Sequence, residues 1–511
     1  MDSPAGPLPP EDGSTPDVLA GTDRRALITQ GILWNSAFQV FLVGASFVSM
    51  LVLVRLLSPA DFGRATAAIG VLALINCLNC SYFIAQAIQL PEGEEPNWAA
   101  HWQAGFYIQF ALFALCNSVA GLAWMFEAYR PIAPLLHVAS IGLLIDCPNQ
   151  IAVTSLRREM DFRRLRLIQA ACTLLTVISS VTLAFFGGGA YALIIGSNVL
   201  HGLPQGAYWL GVRKWRPPAR WWSWPDWGAY RAPLRFGAQL SGSAMLTAAR
   251  GMLEALVLPA TLGYEAVGLL NRAQVLFSTT VGRVSGLVLE TVYPLLPRST
   301  GNPEQFARHA TLFVETMLLI SIPGAIFVGM EGPYLSRLLY GSKWVAADPL
   351  IWPGTLFAWG VATVLIFSAV LQAQNRLRLA FFSNVISASL CLPAIAVTLG
   401  GGGMLPYAWA LAGGQLAASV VVVALAQSGL RSGTARRGVL PPLLCTVVGA
   451  GILLLFRGPT ESLSSSLKLG IDGFIFGAVI ITLMRCAFAS ELREVVRRLP
   501  ASAVLTKFFR L

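Results

Sequence analysis

The chain has 511 residues, of which 55% are apolar and only 12% charged, and its mean hydropathy is +0.64. These values exclude an ordinary soluble globular protein. A net charge of +11 would suggest a nucleic-acid partner for a soluble protein, but here most Lys and Arg residues fall in the short segments between apolar runs. We therefore predict no nucleic-acid binding.

Apolar runs of about 20 residues recur from Ile32 to Ala487, and each is long enough to cross roughly 30 Å of hydrocarbon as an α-helix. The sequence thus predicts an all-α, polytopic membrane protein with about fourteen transmembrane spans, numbered here in chain order. The distribution of Lys and Arg orients both chain ends toward the cytoplasm.

The chain divides into six predicted segments. Residues 1–25 are rich in Pro, Gly, Asp and Ser and predict a disordered cytoplasmic tail. Spans 1–6 form an amino-terminal lobe, a cytoplasmic link rich in Trp, Arg and Pro follows, and spans 7–12 form a carboxyl-terminal lobe. Two appended spans, 13 and 14, precede a basic cytoplasmic tail. The amino-terminal lobe covers residues 26–212, the link 213–233 and the carboxyl-terminal lobe 234–430. The appended spans cover 431–487 and the basic tail 488–511.

The two lobes resemble each other in sequence at three places, which indicates an internal duplication. LLSPADFGRATAA parallels ATLGYEAVGLLNRA, RRLRL parallels NRLRL, and GGGAYALIIG parallels MLPYAWALAG. These matches pair Gly63 with Gly268, Arg163 with Asn375, and Tyr191 with Tyr407. Two six-helix copies that cross the membrane in the same sense predict a pseudo-twofold axis along the membrane normal and a cavity between the lobes.

Polar residues inside the first lobe predict part of that cavity. Span 1 aligns four polar side chains on one side, span 2 carries an amide, and span 4 carries an acid: Asn35, Gln39, Ser46, Ser49, Asn76 and Asp146. Polar helix packing would explain the amides and hydroxyls equally well. Asp146 is either a proton or cation site or a structural hydrogen-bond centre.

Spans 7 and 8 carry charges that need an explanation, because a charge at mid-membrane costs about 2.5–3.5 kcal/mol and usually faces a bundle interior or a wet cavity. At about 100° per residue, each span gathers its polar residues on one face. These faces are Gln239, Ser243, Arg250 and Glu254 on span 7, and Arg272, Thr279, Arg283 and Glu290 on span 8. Arg250 and Glu254 are one turn apart, so a structural ion pair remains an alternative.

No pattern predicts an enzyme. Cys77 and Cys80 form a CxxC pair inside an apolar span, which indicates buried small residues rather than a metal or redox site. A membrane glycosyltransferase or polymerase would show a large external loop or an exposed acidic metal-binding motif, and neither is evident. We predict a transporter with no cofactor and no metal.

Six segments resemble, in order and over nearly the whole chain, the Wzx-type polysaccharide flippases. They are GILWNSAFQ, LVLVRLLSPADFGRA, LRREMDFRRLR, LRFGAQL, VGLLNRAQ and LLYGSKW. Those flippases belong to the larger MOP superfamily, which also contains the MATE drug exporters and the MurJ lipid flippases. A MATE-like exporter of drugs or organic cations remains an alternative, although acidic residues would dominate its cavity.

The resemblance implies a bacterial inner-membrane protein that moves a polyprenyl-pyrophosphate-linked oligosaccharide from the cytoplasmic to the external leaflet by alternating access, for export of a surface polysaccharide. Membrane lipid, a polysaccharide polymerase and the export machinery are the implied partners. For such a substrate we expect pyrophosphate contacts from Arg250, Arg272 and Arg283. We expect a polar cavity lined by Asn35, Gln39, Asn76, Gln239 and Thr279. We expect H⁺ or Na⁺ coupling through Asp146, Glu254 or Glu290.

Overall fold

The structure, a computed structural model, describes residues 17–91, 94–211, 219–283, 285–286, 296, 299, 301–427, 430–431, 433–461 and 463–488. Every regular element in these ranges is helical, as the long apolar runs predict. The first lobe contains α1 (Asp17–Leu56), α2 (Pro59–Asn76), α3 (Cys80–Ile84), α4 (Trp98–Met125), α5 (Ala133–Arg158), α6 (Phe162–Phe185), α7 (Ala190–Ile194) and α8 (Leu203–Gly211).

The second lobe begins with the longest helical stretch among the described residues. It contains α9 (Arg231–Thr279), α10 (Pro303–Tyr340), α11 (Ile351–Ala373), α12 (Leu377–Leu390), α13 (Leu392–Leu399) and α14 (Met404–Ala426), followed by the appended α15 (Thr434–Glu461) and α16 (Ser465–Ala487). A 3₁₀ segment, Ser342–Leu350, joins α10 to α11.

The start of α1 corrects one predicted boundary. Residues 17–25 were expected to belong to the disordered tail, but α1 begins at Asp17. The last proline of the tail is Pro16, and the sequence beyond it contains Leu, Ala and Arg, which favour helix. The overall composition of residues 1–25 is dominated by the Pro-rich residues 1–16 and therefore hides the helix-favouring residues 17–25.

Twelve helical stretches in the described ranges are long and apolar enough to cross a membrane. Two features reconcile them with the predicted fourteen. Ala244–Thr279 is a single stretch by composition, but Gly263 has φ 81° and ψ 165°, so α9 consists of two helices that correspond to spans 7 and 8. Span 6 is divided into α7, a π-helical turn over Ile195–Leu200, and α8.

Backbone turns repeat between the lobes. Among the described residues, Met160 and Asn375 are the non-glycine residues with positive φ, at 55° and 59°. In each turn the following amide donates to a carbonyl oxygen five residues back, at 3.0 Å after Met160 and 2.9 Å after Asn375. Gly187 and Gly401 also match, with φ of 81° and 82°. These turns support the duplication, and they pair Asn375 with Met160 rather than with Arg163.

The tightest contact between the lobes joins the two glycines that the sequence repeat paired. A Cβ on Gly63 would collide with the carbonyl oxygen of Tyr264, and a Cβ on Gly268 would collide with that of Pro59. Equivalent residues of two copies meet where the twofold axis passes between them. The crossing of α2 and α9 at Gly63 and Gly268 therefore lies on the pseudo-twofold axis.

Alanine at Gly63 or Gly268 is expected to lower the free energy of unfolding by about 1–3 kcal/mol or more, because the two backbones would have to separate. Thermal unfolding of the purified protein in detergent measures this. Gly251→Ala, also in α9, is the matched control, since its Cβ would meet nothing within 4 Å. A melting temperature for Gly63→Ala equal to that of the control would contradict the close crossing.

A second contact fastens the lobes together at the end of the molecule where α1 finishes. Lys343 Nζ donates to the carbonyl oxygens of Arg55 and Leu57, at 2.7 and 2.5 Å. Trp344 is fully buried, and its Nε1 donates to the carbonyl oxygen of Val54 at 3.1 Å. The lobes cannot separate at this end without breaking these hydrogen bonds.

Candidate functional site

A cavity of about 360 Å³ lies between the lobes, and Arg272 is its charged residue from the second lobe. We call it the Arg272 cavity. The first lobe supplies the rest of its wall from α1, α2, α6 and α7, together with His201. The lining residues are Leu42, Ser46, Ser49, Met50, Leu53, Phe62, Thr173, Thr176, Val177, Leu193, His201 and Arg272. Ser46 and Ser49 come from the predicted polar face of span 1.

The guanidinium of Arg272 is fixed on two sides. Its Nε and Nη2 donate to Asn271 Oδ1, at 3.2 and 2.6 Å, and its plane lies over the ring of Phe62, 4.5 Å from the ring centroid. A guanidinium has five N–H donors, so one carboxamide oxygen leaves several donors for a ligand. Because the group is half-buried, its charge is less screened than in water. The cavity can therefore bind an anion.

A second, more polar cavity of about 260 Å³ lies within the first lobe. We call it the N-lobe polar cavity. Its polar lining comes mainly from α5, α6 and the broken span 6 and includes Asp146, Asn149, Gln150, Gln169, Asn198, His201 and Gln205. Asp146 Oδ2 also accepts a hydrogen bond from Asn79 Nδ2 at 2.6 Å, just after α2 ends. Asp146 thus has both a structural partner and a place in a cavity.

The two cavities share one residue, His201. Its Nδ1 lies 3.0 Å from Thr176 Oγ1, a residue of the Arg272 cavity. The two cavities therefore adjoin each other at His201.

Arg250 and Glu254 form an ion pair elsewhere in the second lobe. Arg250 Nη1 lies 3.5 Å from Glu254 Oε1, and the side chains are 19% and 21% exposed. The guanidinium lies over the ring of Phe357, 5.1 Å from its centroid, and Tyr407 and Cys391 are close enough to interact with the pair. Neither charged residue lines the Arg272 cavity, so the structure does not bring Arg250 together with Arg272.

Span 8 does not continue as one helix along its predicted polar face. α9 ends at Thr279, and Thr280 has φ −103° and ψ −86°, so Arg283 is not in helical register with Arg272. Arg283 is exposed. The Thr279 hydroxyl donates to carbonyl oxygens of the preceding turn, at 2.9 and 3.1 Å. Glu290 lies outside the described residues.

Three further predicted polar residues with described side chains, Gln39, Gln239 and Asn76, do not line either cavity. Gln39 is half-buried in α1, and Gln239 is exposed near the start of α9. Asn76 ends α2, and its Oδ1 is buried without a hydrogen-bond partner in the described structure. The side chain of Asn35 lies outside the described part of the chain.

A buried charge cluster, which the sequence analysis missed, ties the appended helices to the second lobe. Lys468 of α16 is completely buried, and its Nζ donates to Asp472 Oδ2 at 2.7 Å and to Thr460 Oγ1 at 3.0 Å. The same Nζ lies 3.6 Å from Glu331 Oε2 of α10 and 4.7 Å from the ring centroid of Tyr334. The signal was present in the sequence as a Lys and an Asp four residues apart inside an apolar span.

An apolar cavity of about 400 Å³ lies between α10 and α16, the two helices that the charge cluster joins. It is lined by aliphatic and aromatic side chains and by small residues that include Gly324, Phe327, Gly473, Phe476, Ile480 and Met484. It has no charged lining residue and so cannot be a phosphate site.

Comparison with known proteins agrees with this architecture. The family model for polysaccharide biosynthesis proteins matches residues 52–349, more than half of the chain. The chain is 21% identical over 372 residues to the lipopolysaccharide biosynthesis protein WzxC of Escherichia coli (strain K12), which covers 72% of this chain and 74% of that protein. It is 26% identical over 184 residues to the succinoglycan biosynthesis transport protein ExoT of Rhizobium meliloti (strain 1021), 35% of each.

Among solved structures, the chain is similar to the lipid II flippase MurJ in an inward closed conformation. The TM-score is 0.72 at 13% sequence identity, and the match covers 90% of this chain and 100% of that one. Likeness at this level of identity establishes the fold.

Proposed function

Because the chain belongs to the polysaccharide biosynthesis protein family and has the MurJ fold, we propose that it moves a polyprenyl-pyrophosphate-linked oligosaccharide from the cytoplasmic to the external leaflet of the bacterial inner membrane. The observation that carries the proposal is the position of Arg272, a half-buried cation in a cavity between two lobes. Alternating access would move the headgroup through this cavity as the lobes rock about their shared axis.

Arg272 suits the pyrophosphate for electrostatic and geometric reasons. A pyrophosphate carries several negative charges, and a guanidinium can direct two parallel N–H bonds onto phosphate oxygens. Asn271 and Phe62 hold the guanidinium before substrate arrives, so less entropy is lost on binding. An exporter of organic cations would need an acidic cavity instead, and Arg272 gives this one a positive charge.

The polyprenyl tail would remain in lipid while the headgroup crosses. α2 packs closely against α9 where Gly63 and Gly268 cross, so the tail cannot pass between these two helices. α1 instead packs on α6, and together with Arg272 it borders the cavity. We expect the tail to leave between α1 and residues 264–279.

Glu254 is the acid that we propose for H⁺ or Na⁺ coupling. It is half-buried and faces one cation, so neutralising it would release Arg250 from its partner and change the balance between the two states of the transporter. Glu254→Gln is expected to retain normal protein abundance but to lose the dependence of translocation on the ion gradient. Measuring translocation with and without a pH or Na⁺ gradient tests this.

Exchanging the two charges separates coupling from structure. Arg250→Ala would leave Glu254 half-buried without its partner, so we expect it to lower protein abundance. The double variant Arg250→Glu, Glu254→Arg keeps an ion pair, so we expect it to have normal abundance but no translocation. If the exchanged pair translocates as fast as the wild type, the pair is structural and the coupling proposal is wrong.

The proposed function is tested in cells that lack the chain. We expect such cells to lose their surface polysaccharide and to accumulate the lipid-linked oligosaccharide with its sugars facing the cytoplasm. Wild-type protein should reverse both effects, and Arg272→Ala at equal abundance should reverse neither. Normal surface polysaccharide in the deletion strain, or cytoplasm-facing accumulation that wild-type protein does not relieve, would contradict the proposal.

A further inference from the structure

We infer that the N-lobe polar cavity is a saccharide subsite, which receives the first sugar ring attached to the pyrophosphate. This inference rests on the proposed function and identifies the part of the protein that binds the first sugar of the glycan. The cavity belongs to the opposite lobe from Arg272. None of its polar lining residues is predicted from the sequence to bind substrate, since Asp146 is predicted only as a coupling or structural residue.

The chemistry of the lining fits a polyhydroxylated ring. Five carboxamide side chains line the cavity, and each offers both donors and an acceptor. They are Asn149, Gln150, Gln169, Asn198 and Gln205. Sugar hydroxyls also donate and accept, so amides can hydrogen-bond neighbouring hydroxyls in either direction. The lining also contains one acid, Asp146, which adds an acceptor, and one cation, Arg157, which adds donors. The volume of about 260 Å³ lies just below the range of about 300–1,000 Å³ for drug-sized ligands, which leaves room for one ring.

One lining group has no partner in the described structure. Asn149 is only 3% exposed, and its Oδ1 accepts no hydrogen bond. A buried unpaired acceptor costs about 1–3 kcal/mol, so a ligand or water that donates to it is favoured. Gly202 and Gly206 let the backbone of span 6 pack closely against this carboxamide, because a Cβ at either position would press against it.

The backbone beside the cavity is also irregular at membrane depth. Span 6 adopts π-helical geometry over Ile195–Leu200 and then turns at His201 and Gly202 before α8 begins. Ser197 and Asn198 of that π-helical turn line the cavity. Non-helical backbone inside a membrane is tolerated where it lines a cavity, and broken helices commonly form transporter binding sites. Span 6 is broken at the wall of this cavity.

The connection through His201 fixes which part of the substrate would enter. The first sugar is bonded directly to the pyrophosphate, so its subsite must adjoin the phosphate subsite. His201 lines both cavities and lies 3.0 Å from Thr176 in the wall of the Arg272 cavity. A pyrophosphate at Arg272 therefore has the N-lobe polar cavity as a neighbour for its sugar.

The test compares two lipids on protein in nanodiscs: polyprenyl pyrophosphate without sugars, and the lipid-linked oligosaccharide extracted from cells that express this chain. Gln150→Leu and Asn198→Leu each replace a lining amide with a side chain that cannot hydrogen-bond. We expect each to weaken binding of the glycosylated lipid about fivefold to thirtyfold and to change binding of the bare lipid less than about twofold. Gln89→Leu, an exposed amide of the same lobe, is the matched control and should change neither.

Equal weakening of both lipids, or unchanged binding of the glycosylated lipid in both variants at a wild-type melting temperature, would overturn the saccharide subsite. Asp146→Asn adds a further comparison. If it abolishes a Na⁺ dependence of binding without altering the preference for the glycosylated lipid, the cavity is a cation site and the inference is wrong. Failure of the proposed function looks different, since the wild type would then bind neither lipid above empty nanodiscs.

Discussion

Replacing Arg272 with alanine is expected to stop translocation while leaving the protein folded. In the proposed function the half-buried guanidinium would contact the pyrophosphate in the Arg272 cavity, and truncating one partner of such a charged, hydrogen-bonded pair costs about 2–5 kcal/mol. That loss corresponds to roughly thirtyfold or more in affinity for polyprenyl pyrophosphate. Direct binding to protein in nanodiscs measures it.

Two controls sharpen this prediction. Arg272→Lys keeps the charge but not the planar fork, so its affinity should fall between those of the wild type and the alanine variant. Arg235→Ala removes an exposed arginine from the part of α9 that precedes the break at Gly263, and it should bind as the wild type does. Equal affinities for wild type and Arg272→Ala would remove Arg272 from the phosphate site.

Lys468→Met is expected to cause a large fall in the free energy of unfolding. It leaves Asp472 and Glu331 buried without the ammonium that both contact, and breaking a buried pair in this way costs about 3–5 kcal/mol. Thermal unfolding in detergent should show a clear fall in melting temperature. Because the cluster joins α10 to α16, loss of the appended helices should precede global unfolding.

Removing the whole cluster gives the contrasting result. The triple variant Lys468→Met, Asp472→Leu, Glu331→Leu has no orphaned charge, so it should recover most of the lost stability. Arg485→Met changes an exposed cation of the same helix and should leave the melting temperature unchanged. If Lys468→Met melts like Arg485→Met, the buried cluster does not stabilise the packing of α16.

The fold was accessible from the sequence because its determinants are local. Hydropathy identifies spans wherever a continuous apolar run exists, and the repeat paired Gly63 with Gly268, which the structure brings into contact. Span 6 is less regular, since π-helical geometry at Ile195–Leu200 depends on what packs around it. The count of twelve stretches against a predicted fourteen reflects the break in span 6 and the joining of spans 7 and 8 into one stretch, Ala244–Thr279, on either side of Gly263.

The site was harder to predict, because helical periodicity holds only within one helix. Arg250 of span 7 and Arg272 of span 8 are both predicted to contact the pyrophosphate, but periodicity within each helix does not fix how the two helices face each other. In the structure the two arginines have different partners. The break at Thr280 likewise removed Arg283 from the face of Arg272. No property of the sequence specifies the angle that a chain takes at such a break.

Partners distant in sequence account for the other omissions. His201 joins two cavities only because the broken span 6 packs against α6, and Glu331 reaches Lys468 only because α16 docks on α10. The high cost of a charge inside the membrane, together with a spacing of four residues, could have identified Lys468 and Asp472 as an ion pair. This reasoning could not have identified Glu331, the third charged residue of the cluster, because it lies on another helix.

The most direct measurement is translocation by the purified chain. Lipid-linked oligosaccharide reconstituted with the protein in liposomes can be probed from outside with a reagent that attacks only exposed sugars. With wild-type protein we expect the whole pool to become accessible, and with Arg272→Ala only the share that begins in the outer leaflet. If the inner-leaflet pool stays protected in the presence of folded wild-type protein and an H⁺ or Na⁺ gradient, the chain does not translocate this lipid.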